Sequence, residues 1–97
     1  MNEQSTATVR DNEQRSRFEV EVDGRVAGFI DYRDQDGVLA LVHTEVDPAY
    51  EGQGLAGQLA QHALEAARRS GRKVVPSCSY VAAYIRRHGE HADLVAG

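Results

Sequence analysis

The stretch VDPAYEGQGLAGQL, residues 46–59, marks the point where the chain changes from strand to helix. Pro48 ends the strand because proline has no N–H to give to a sheet. Three glycines follow, and the apolar residues after them recur at helical spacing, at positions 55, 59, 63 and 66. The first turn of a helix has unpaired N–H groups at the positive end of the helix dipole. The stretch therefore predicts a glycine turn that opens a helix and forms a cradle for an anion such as a pyrophosphate.

Two other glycine motifs bind phosphates, and both fit this stretch less well. The P-loop requires a Lys after its last glycine, and no Lys follows Gly52, Gly54 or Gly57. These glycines do match the Gly-x-Gly-x-x-Gly spacing of dinucleotide-binding proteins. That motif belongs in a parallel β-α-β unit, whereas the residues before Gly52 predict a long antiparallel strand. A nicotinamide cofactor is therefore disfavoured.

The residues before this stretch predict an antiparallel meander. Phe18, Val20 and Val22 alternate with Glu19 and Glu21, as in a half-buried strand. An Asp-Gly pair follows and favours a two-residue type I′ turn. The nearly continuous apolar run at 38–42 predicts that the last strand of the meander is buried on both faces. The predicted strands are 7–10, 16–22, 25–33 and 38–46.

The residues after this stretch predict a helix, a short strand and a second helix. Gly71 suits the end of the first helix, and Ser77 or Ser79 suits the N-cap of the second. The fold class is therefore α/β (α+β), a compact meander followed by helix, short strand and helix. The helices are expected at 55–70 and 79–88, the short strand between them at 73–76, and a last helical turn at 92–95.

Composition limits the class of protein. The 97 residues make one domain, expected over 7–97 after a disordered N-terminus at 1–6. The net charge of −4 argues against a nucleic-acid partner, and no apolar run reaches the length of a membrane span. The N-terminus lacks the plan of a signal peptide, so a cytoplasmic location is expected. A single cysteine excludes an internal disulfide, and no metal site is predicted.

Residues 46–56 resemble a family signature. The acetyl-coenzyme A motif of the GNAT superfamily of acyltransferases reads Val-x-Pro-x-x-(Arg/Gln)-x-x-Gly-x-(Gly/Ala), and this chain matches every fixed position except one. Glu51 stands where the family prefers Arg or Gln, and a carboxylate there repels a pyrophosphate. The segments HTEV (43–46) and PSCSY (76–80) resemble the short, single-domain YjdJ-type subfamily. The resemblance extends over about residues 7–95.

The resemblance implies that the chain binds acetyl-CoA (or CoA). Main-chain N–H groups of the glycine turn would hold the pyrophosphate, and the main chain of the preceding strand would pair with the pantetheine arm. Two arginines that end the second helix are candidates for the adenosine phosphates, with solvated helix-end charges as the alternative. The residues expected at the cofactor are Val46, Gln53, Gly54, Leu55, Ala56, Gly57, Arg86 and Arg87.

The resemblance also implies a base on the strand before the turn, which deprotonates the acceptor amine. His43 and Glu45 are the candidates, and simple alternation places both on one face of this strand with Leu41. Histidine titrates near neutral pH, which suits a base, but a hydrogen-bonded structural imidazole is an equal alternative. The acceptor itself is not identified.

Three further side chains are candidates for the chemistry. Cys78 precedes the second predicted helix, where a thiol becomes a better nucleophile, with His43 as its base; a small buried residue is the alternative. Tyr84 is a candidate for the general acid that protonates the leaving thiolate, a role that the family gives to a tyrosine. Tyr80 lies one helical turn earlier and is a substitute, and core packing is the alternative for both tyrosines.

The function implied is an N-acetyltransferase that moves an acetyl group from acetyl-CoA to an unidentified amine. Two helices that family members usually have between their first two strands are missing, as is a strand pair after the last helix. Because those helices build part of the acceptor site, the alternative is a non-catalytic module that binds CoA or senses acyl groups. The chain is expected to be a monomer or, through exposed strand edges, a weak homodimer.

Overall fold

The structure, a computed structural model, describes residues 7–96 and consists of one five-stranded sheet and two helices. The strands and helices are β1 (Ala7–Asn12), β2 (Arg17–Val22), β3 (Arg25–Gln35), β4 (Val38–Val46), α1 (Leu55–Ser70), β5 (Lys73–Pro76) and α2 (Ser79–Arg87). The sheet follows the chain order, with β1 to β4 antiparallel and β5 parallel to β4. The predicted meander followed by helix, strand and helix is confirmed. The segment predicted as disordered, 1–6, lies outside the described residues.

Two tight turns connect the strands of the meander. Asp23 and Gly24, between β2 and β3, have φ angles of 52° and 81°, as the predicted type I′ turn requires at both positions. Asp36 and Gly37 form a similar turn before β4, with φ angles of 53° and 78°. Strand β3 runs to Gln35, beyond the predicted end at 33, because its last polar residues pair with the start of β4.

One side of the sheet, which we call the helix face, packs against both helices in a single apolar core. The small side chains of Ala60, Ala63 and Ala67 let α1 approach the strands closely. Burial of the large side chains supplies most of the favourable free energy of folding. The strands contribute Phe18, Val20, Val22, Ile30, Leu39, Leu41 and Val74, and the helices contribute Leu55, Leu59, Leu64, Val81 and Ile85.

The other side of the sheet, which we call the open face, is covered by no helix or strand among residues 7–96. Val75 is 38% exposed there, whereas its neighbour Val74 is fully buried on the helix face. On β4, Leu39 and Leu41 are buried but Val42 is 38% exposed. The predicted burial of β4 on both faces is therefore wrong, because nothing within the described part of the chain packs against the open face.

A β-bulge in β4 changes which side chains share a face. Asp31 of β3 pairs with His43, but the next residue, Tyr32, pairs with Leu41, so Val42 is the extra residue. The bulge reverses the alternation of side chains along β4. Leu41 consequently lies in the core, while His43 and Glu45 lie on the open face. The expectation that these three residues share one face is wrong for Leu41.

Each helix ends in a defined segment, and the segment that follows α2 packs against the end of α1. Gly71 ends α1 in the left-handed conformation, as predicted, with its N–H bonded to the carbonyls of Ala67 and Arg68. After α2 a 3₁₀ segment, Gly89–Leu94, leads to a short bridge beside β5. Arg68 holds this segment to α1 through two hydrogen bonds to the carboxylate of Asp93. Neither helix within residues 7–96 is long and apolar enough to cross a membrane.

Candidate functional site

Strands β4 and β5 separate at their carboxyl ends and leave a gap. Their pairing ends at Leu41 and Pro76, and one further hydrogen bond joins the N–H of Cys78 to the carbonyl of Leu41, at 2.9 Å. Strand β4 continues to Val46, paired there only with β3. The N–H of Asp47 donates to Ala27 of β3, so alternation turns the main-chain N–H and C=O of Val46 toward the gap.

The glycine turn opens α1 beside this gap. Pro48 begins a single 3₁₀ turn, in which the carboxylate of Asp47 accepts a hydrogen bond from the N–H of Ala49, at 2.9 Å. Gly52 and Gly54 then have φ angles of 87° and 74°, which residues with a Cβ rarely adopt. These two angles explain why the turn requires glycine at both positions.

The N-terminus of α1 has no side-chain cap. Gly54 is the N-cap residue and brings no side-chain hydrogen bond. The first bond of the helix runs from the N–H of Gln58 to the carbonyl of Gly54. The N–H groups of the preceding residues, 55–57, therefore have no partner inside the helix, and no acidic residue occupies its first turn. This end of α1 presents a positive field and free donors to whatever lies in front of it.

These elements enclose a cleft of about 370 Å³ on the helix-face side. Of the residues expected at the cofactor, the cleft includes Val46, Gly54, Leu55, Ala56 and Gly57, but not Gln53. Of the two predicted arginines, Arg87 lines a neighbouring groove, and Arg86 lines neither the cleft nor that groove. Four of the lining residues were not among the candidate site residues, namely Thr44, Tyr50, Glu51 and Gly52.

Cys78 lies at the point where β4 and β5 separate. It is the N-cap residue of α2, a position that was predicted for Ser77 or Ser79, and its side chain is buried. Its sulfur lies 3.2 Å from the hydroxyl of Thr44 on β4. Burial alone would raise the pKa of the Cys78 thiol, but the Thr44 hydroxyl and nearby main-chain N–H groups, including those at the start of α2, outweigh it and hold the pKa below its usual value.

His43 and Glu45 lie together on the open face. The Nε2 atom of His43 is 3.1 Å from the Oε1 atom of Glu45, and both side chains are more than half exposed. The His43 ring is also 6.1 Å from the ring of Phe29 on β3. The predicted pairing of His43 with Cys78 is not found. Thr44, which stands between His43 and Glu45 in the chain, is the residue that contacts the sulfur. Because the bulge at Val42 reverses the alternation along β4, Thr44 lies on the side of the sulfur and His43 lies on the open face.

The two candidate tyrosines occupy different places. Tyr80 lines the cleft with Thr44 and Val46, and burial is the main cause that raises the pKa of its hydroxyl. Tyr84 lies outside the cleft and stacks on His88, with ring centroids 4.1 Å apart. Thr44 and Tyr80 thus line the cleft, with Cys78 in contact with Thr44, and the hydroxyl of Tyr80 lies beside Gly57 in the first turn of α1.

Sequence reasoning did not single out Thr44, although it lies in the segment that resembles the YjdJ-type subfamily. Its contact with Cys78 joins residues 34 positions apart. The position of the bulge decides that Thr44, and not His43, points to the sulfur, and no pattern of apolar residues reports a bulge of this kind. The only available signal was a polar residue that alternation groups on one face with the apolar Val42 and Val46.

Comparison with known proteins places the chain in a family. Residues 17–94 match the family model for GCN5-related N-acetyl-transferase, so the chain belongs to that family. The mouse (Mus musculus) protein NATD1 is 31% identical over 83 residues, which cover 82% of this chain and 74% of NATD1. The family assigns the chain to the N-acetyltransferase class, as the sequence predicted.

A solved structure has the same fold. The solution structure of a GCN5-like protein from Staphylococcus aureus superposes with a TM-score of 0.70 at 24% identity, covering 93% of this chain and 88% of that one. The GNAT-like architecture predicted from residues 46–56 and the order of elements is therefore confirmed.

Proposed function

We propose that this chain binds acetyl-CoA in the cleft at the start of α1 and transfers the acetyl group to an amine. One observation carries the proposal: free N–H groups of a helix and the unpaired main chain of Val46 border the same cleft. A pyrophosphate suits the helix N-terminus, and an arm that contains amides suits the edge of a strand. The two parts of CoA that precede its sulfur have these chemistries.

The residues of the cleft fit such a ligand. No side chain stands at Gly54, and a Cβ at Gly57 would lie 3.7 Å from the hydroxyl of Tyr80, inside the space between α1 and α2. Glycine at both positions keeps the approach to the N–H groups open. Glu51 also lines the cleft, and its negative charge opposes an anion there. We therefore expect acetyl-CoA to bind less tightly than it would with a glutamine at position 51.

Two groups that border the cleft, the main-chain N–H of Val46 and the hydroxyl of Tyr80, can serve the transfer. Acetyl-CoA supplies an acetyl group activated as a thioester. The N–H of Val46 faces the gap and can donate to the oxygen on which negative charge develops. Tyr80, with its raised pKa, keeps its proton at neutral pH and can donate it to the leaving sulfur. Tyr84 is one helical turn farther away and is the weaker candidate for this role.

Cys78 is our candidate for a transient acetyl acceptor. Its thiolate attacks the acetyl carbon and the thioester C–S bond breaks, so that the acetyl group is left on Cys78 while the CoA sulfur leaves as a thiolate and takes a proton from Tyr80 or from water. The acceptor amine then attacks that carbonyl, the thiolate of Cys78 leaves, and a base takes the proton that the amine loses. His43 and Glu45 remain the candidates for this base, for an amine that approaches from the open face.

Two measurements test the proposal. At a concentration 100 times its Kd, acetyl-CoA should stabilise the protein by about 2.7 kcal/mol in a thermal melt. Release of free thiol from acetyl-CoA should then accelerate with at least one member of a panel of polyamines, small primary amines and lysine peptides. Stabilisation with no thiol release for any amine would instead support the non-catalytic CoA-binding or acyl-sensing module. No stabilisation would contradict both.

The Cys78→Ala variant separates two routes of transfer. If Cys78 accepts the acetyl group, the variant should still bind acetyl-CoA but lose thiol release, and intact-mass analysis of the wild type should find an added acetyl group at Cys78. If the variant keeps the wild-type rate, the amine attacks the thioester directly and Cys78 is a packing residue.

A further inference from the structure

A groove of about 400 Å³ lies on the open face, at the end of the sheet where β3 begins and β4 ends. We call it the open-face groove. Its apolar surface includes Val26 and Phe29 of β3 and Pro48, which follows β4. Phe29 pairs with Glu45 across β3 and β4, so both side chains are on the open face. The acetyl transfer described above requires none of these apolar residues.

The open-face groove is adjacent to the cleft. Glu45 and Asp47 line the groove, while Val46, which stands between them in the chain, lines the cleft. Only the width of one strand, about 5 Å, therefore separates the groove from the gap between β4 and β5. An amine in this part of the groove lies beside Glu45 and its hydrogen-bonding partner His43, the candidate bases for the transfer.

The groove carries opposite charges on its two sides. Glu45 and Asp47 lie on the β4 side, and Arg17 lies on the β2 side, with Phe29 of β3 between them. Carboxylates attract an ammonium group, whereas a guanidinium suits a carboxylate because its planar N–H donors match both oxygens. This arrangement of charges suits a small molecule that has one positive and one negative end.

Arg17 is held in a defined orientation. Its guanidinium lies over the ring of Phe29, 4.4 Å from the ring centroid, and its Nε atom donates to Glu19 at 2.7 Å. Glu19 is itself buried and also accepts a hydrogen bond from Asn12. Asp31, the cross-strand neighbour of Arg17, does not line the groove and forms no ion pair with Arg17 among residues 7–96. An arginine fixed through Nε and through its flat face loses little further entropy when its terminal nitrogens bind a carboxylate.

We propose that the open-face groove selects the acceptor and that the acceptor is a small amino acid, whose carboxylate pairs with Arg17 while its amine lies toward Glu45 and His43. The apolar residues of β3 contact the carbon chain between the two charges. Arg17 determines the specificity, and Glu19 acts through Arg17 as a positioning residue. The inference rests on the proposed function, since it names the acceptor class of the same transfer.

Acceptors that differ only in their carboxylate test this assignment. Glycine, β-alanine and γ-aminobutyrate are each compared with the corresponding carboxamide, with release of thiol from acetyl-CoA as the readout. For the amino acid whose length fits, kcat/KM should exceed that of its carboxamide about tenfold or more, as one charge-assisted contact implies. Equal values in all three pairs, or a preference for diamines over amino acids, would overturn the inference and leave the proposed function intact.

Arg17→Gln and Arg10→Gln form a matched pair of variants. Both remove a positive charge beside Glu19, but only Arg17 lines the groove. Arg17→Gln should lower kcat/KM for the amino acid about tenfold and so remove the preference, whereas Arg10→Gln should retain it. Glu19→Gln should raise KM for the amino acid more than for the carboxamide, which a loss of stability alone would not do. A preference that survives in Arg17→Gln would contradict the assignment.

An NMR titration tests the groove without turnover. With and without CoA, the main-chain amide signals of Val26 and Phe29 should shift on addition of the amino acid and much less with its carboxamide. This comparison uses the wild type, so it decides the question even if Arg17→Gln does not fold, which a thermal melt would reveal. The absence of such a shift overturns the inference. If the shift is found but no amine releases thiol, the groove binds amino acids and the proposed transfer fails.

Discussion

The two faces of the sheet are stabilised by different interactions and present different chemical groups. The helix face is an apolar core, and the cleft beside it is built largely from main-chain groups and glycines. The open face carries paired charges, including Glu19, which is 2% exposed beneath Arg17 and Arg10, and it presents the exposed pair His43 and Glu45. The groups on the helix-face side are therefore fixed by backbone geometry, whereas the exposed side chains of the open face can change without disturbing the core.

Truncation of a core side chain should produce the largest difference between the faces. Leu59→Ala removes a fully buried side chain of α1, and we expect a loss of about 2–5 kcal/mol in the free energy of unfolding. Val75→Ala on the open face should cost less than about 1 kcal/mol because that side chain already contacts water. Urea denaturation measures both values. Equal losses would mean that the open face is covered in solution.

Gly54→Glu should remove the stabilisation by acetyl-CoA, which is about 2.7 kcal/mol at 100 times the Kd. The new side chain blocks the N–H groups of α1 and adds a negative charge in front of them. Gly71→Glu is the matched control, since Gly71 has a nearly identical φ angle of 73° at the opposite end of α1. Both variants should lose stability from backbone strain, but only Gly54→Glu should lose the ligand-induced shift in the melt. A retained shift would place the anion site elsewhere.

Glu19→Gln should have a smaller effect that depends on pH. Burial would raise the pKa of Glu19, but hydrogen bonds from Arg17 and Asn12, with the charges of Arg17 and Arg10, outweigh burial and lower it. The folded pKa thus lies below the unfolded one, so the ionised group stabilises the fold at neutral pH and this contribution is lost as the pH falls through the folded pKa.

We therefore expect Glu19→Gln to cost about 1–3 kcal/mol at pH 7. The difference from the wild type should shrink once the pH falls below about 4, where carboxylates protonate. Denaturation curves at several pH values measure the effect, with Glu21→Gln, whose partner Arg10 is exposed, as a control that should cost less than about 1 kcal/mol. A difference that is independent of pH would show that the charge of Glu19 does not stabilise the open face.

The smallest effect concerns the reactivity of Cys78. Thr44→Val keeps the shape of the side chain and removes the hydroxyl that contacts the sulfur. The pKa of the thiol should rise, so the midpoint of iodoacetamide labelling should move to higher pH. Ser77→Ala removes a neighbouring hydroxyl that makes no contact with the sulfur and should leave the midpoint unchanged. If the wild-type thiol labels only at the pH of an ordinary cysteine, its role as a nucleophile loses its support.

The elements of the fold were largely readable from local patterns. Helix α1, strand β4 and strand β5 begin and end at the predicted residues, because glycine, proline and the Asp-Gly turn act through their own backbone preferences. Helix α2 also begins at the predicted residue, Ser79, but its N-cap is Cys78 and not one of the expected serines, and the N–H of Cys78 bonds to Leu41 of β4. The exposure of β4 on the open face was not predicted, because burial on one side or on both depends on whether another element covers the sheet.

By itself the sequence determined the glycine turn that opens α1 and the family of the fold, because the glycines and the N–H groups they expose are neighbours in the chain. Only the tertiary structure decided which side chains meet there. The bulge at Val42 places Thr44 at Cys78 and turns His43 away, and the packing of α2 on α1 brings Tyr80, instead of Tyr84, to the cleft. Such contacts join distant positions and depend on the register of strands and the approach of helices, which the pattern of polar and apolar residues along the chain does not encode.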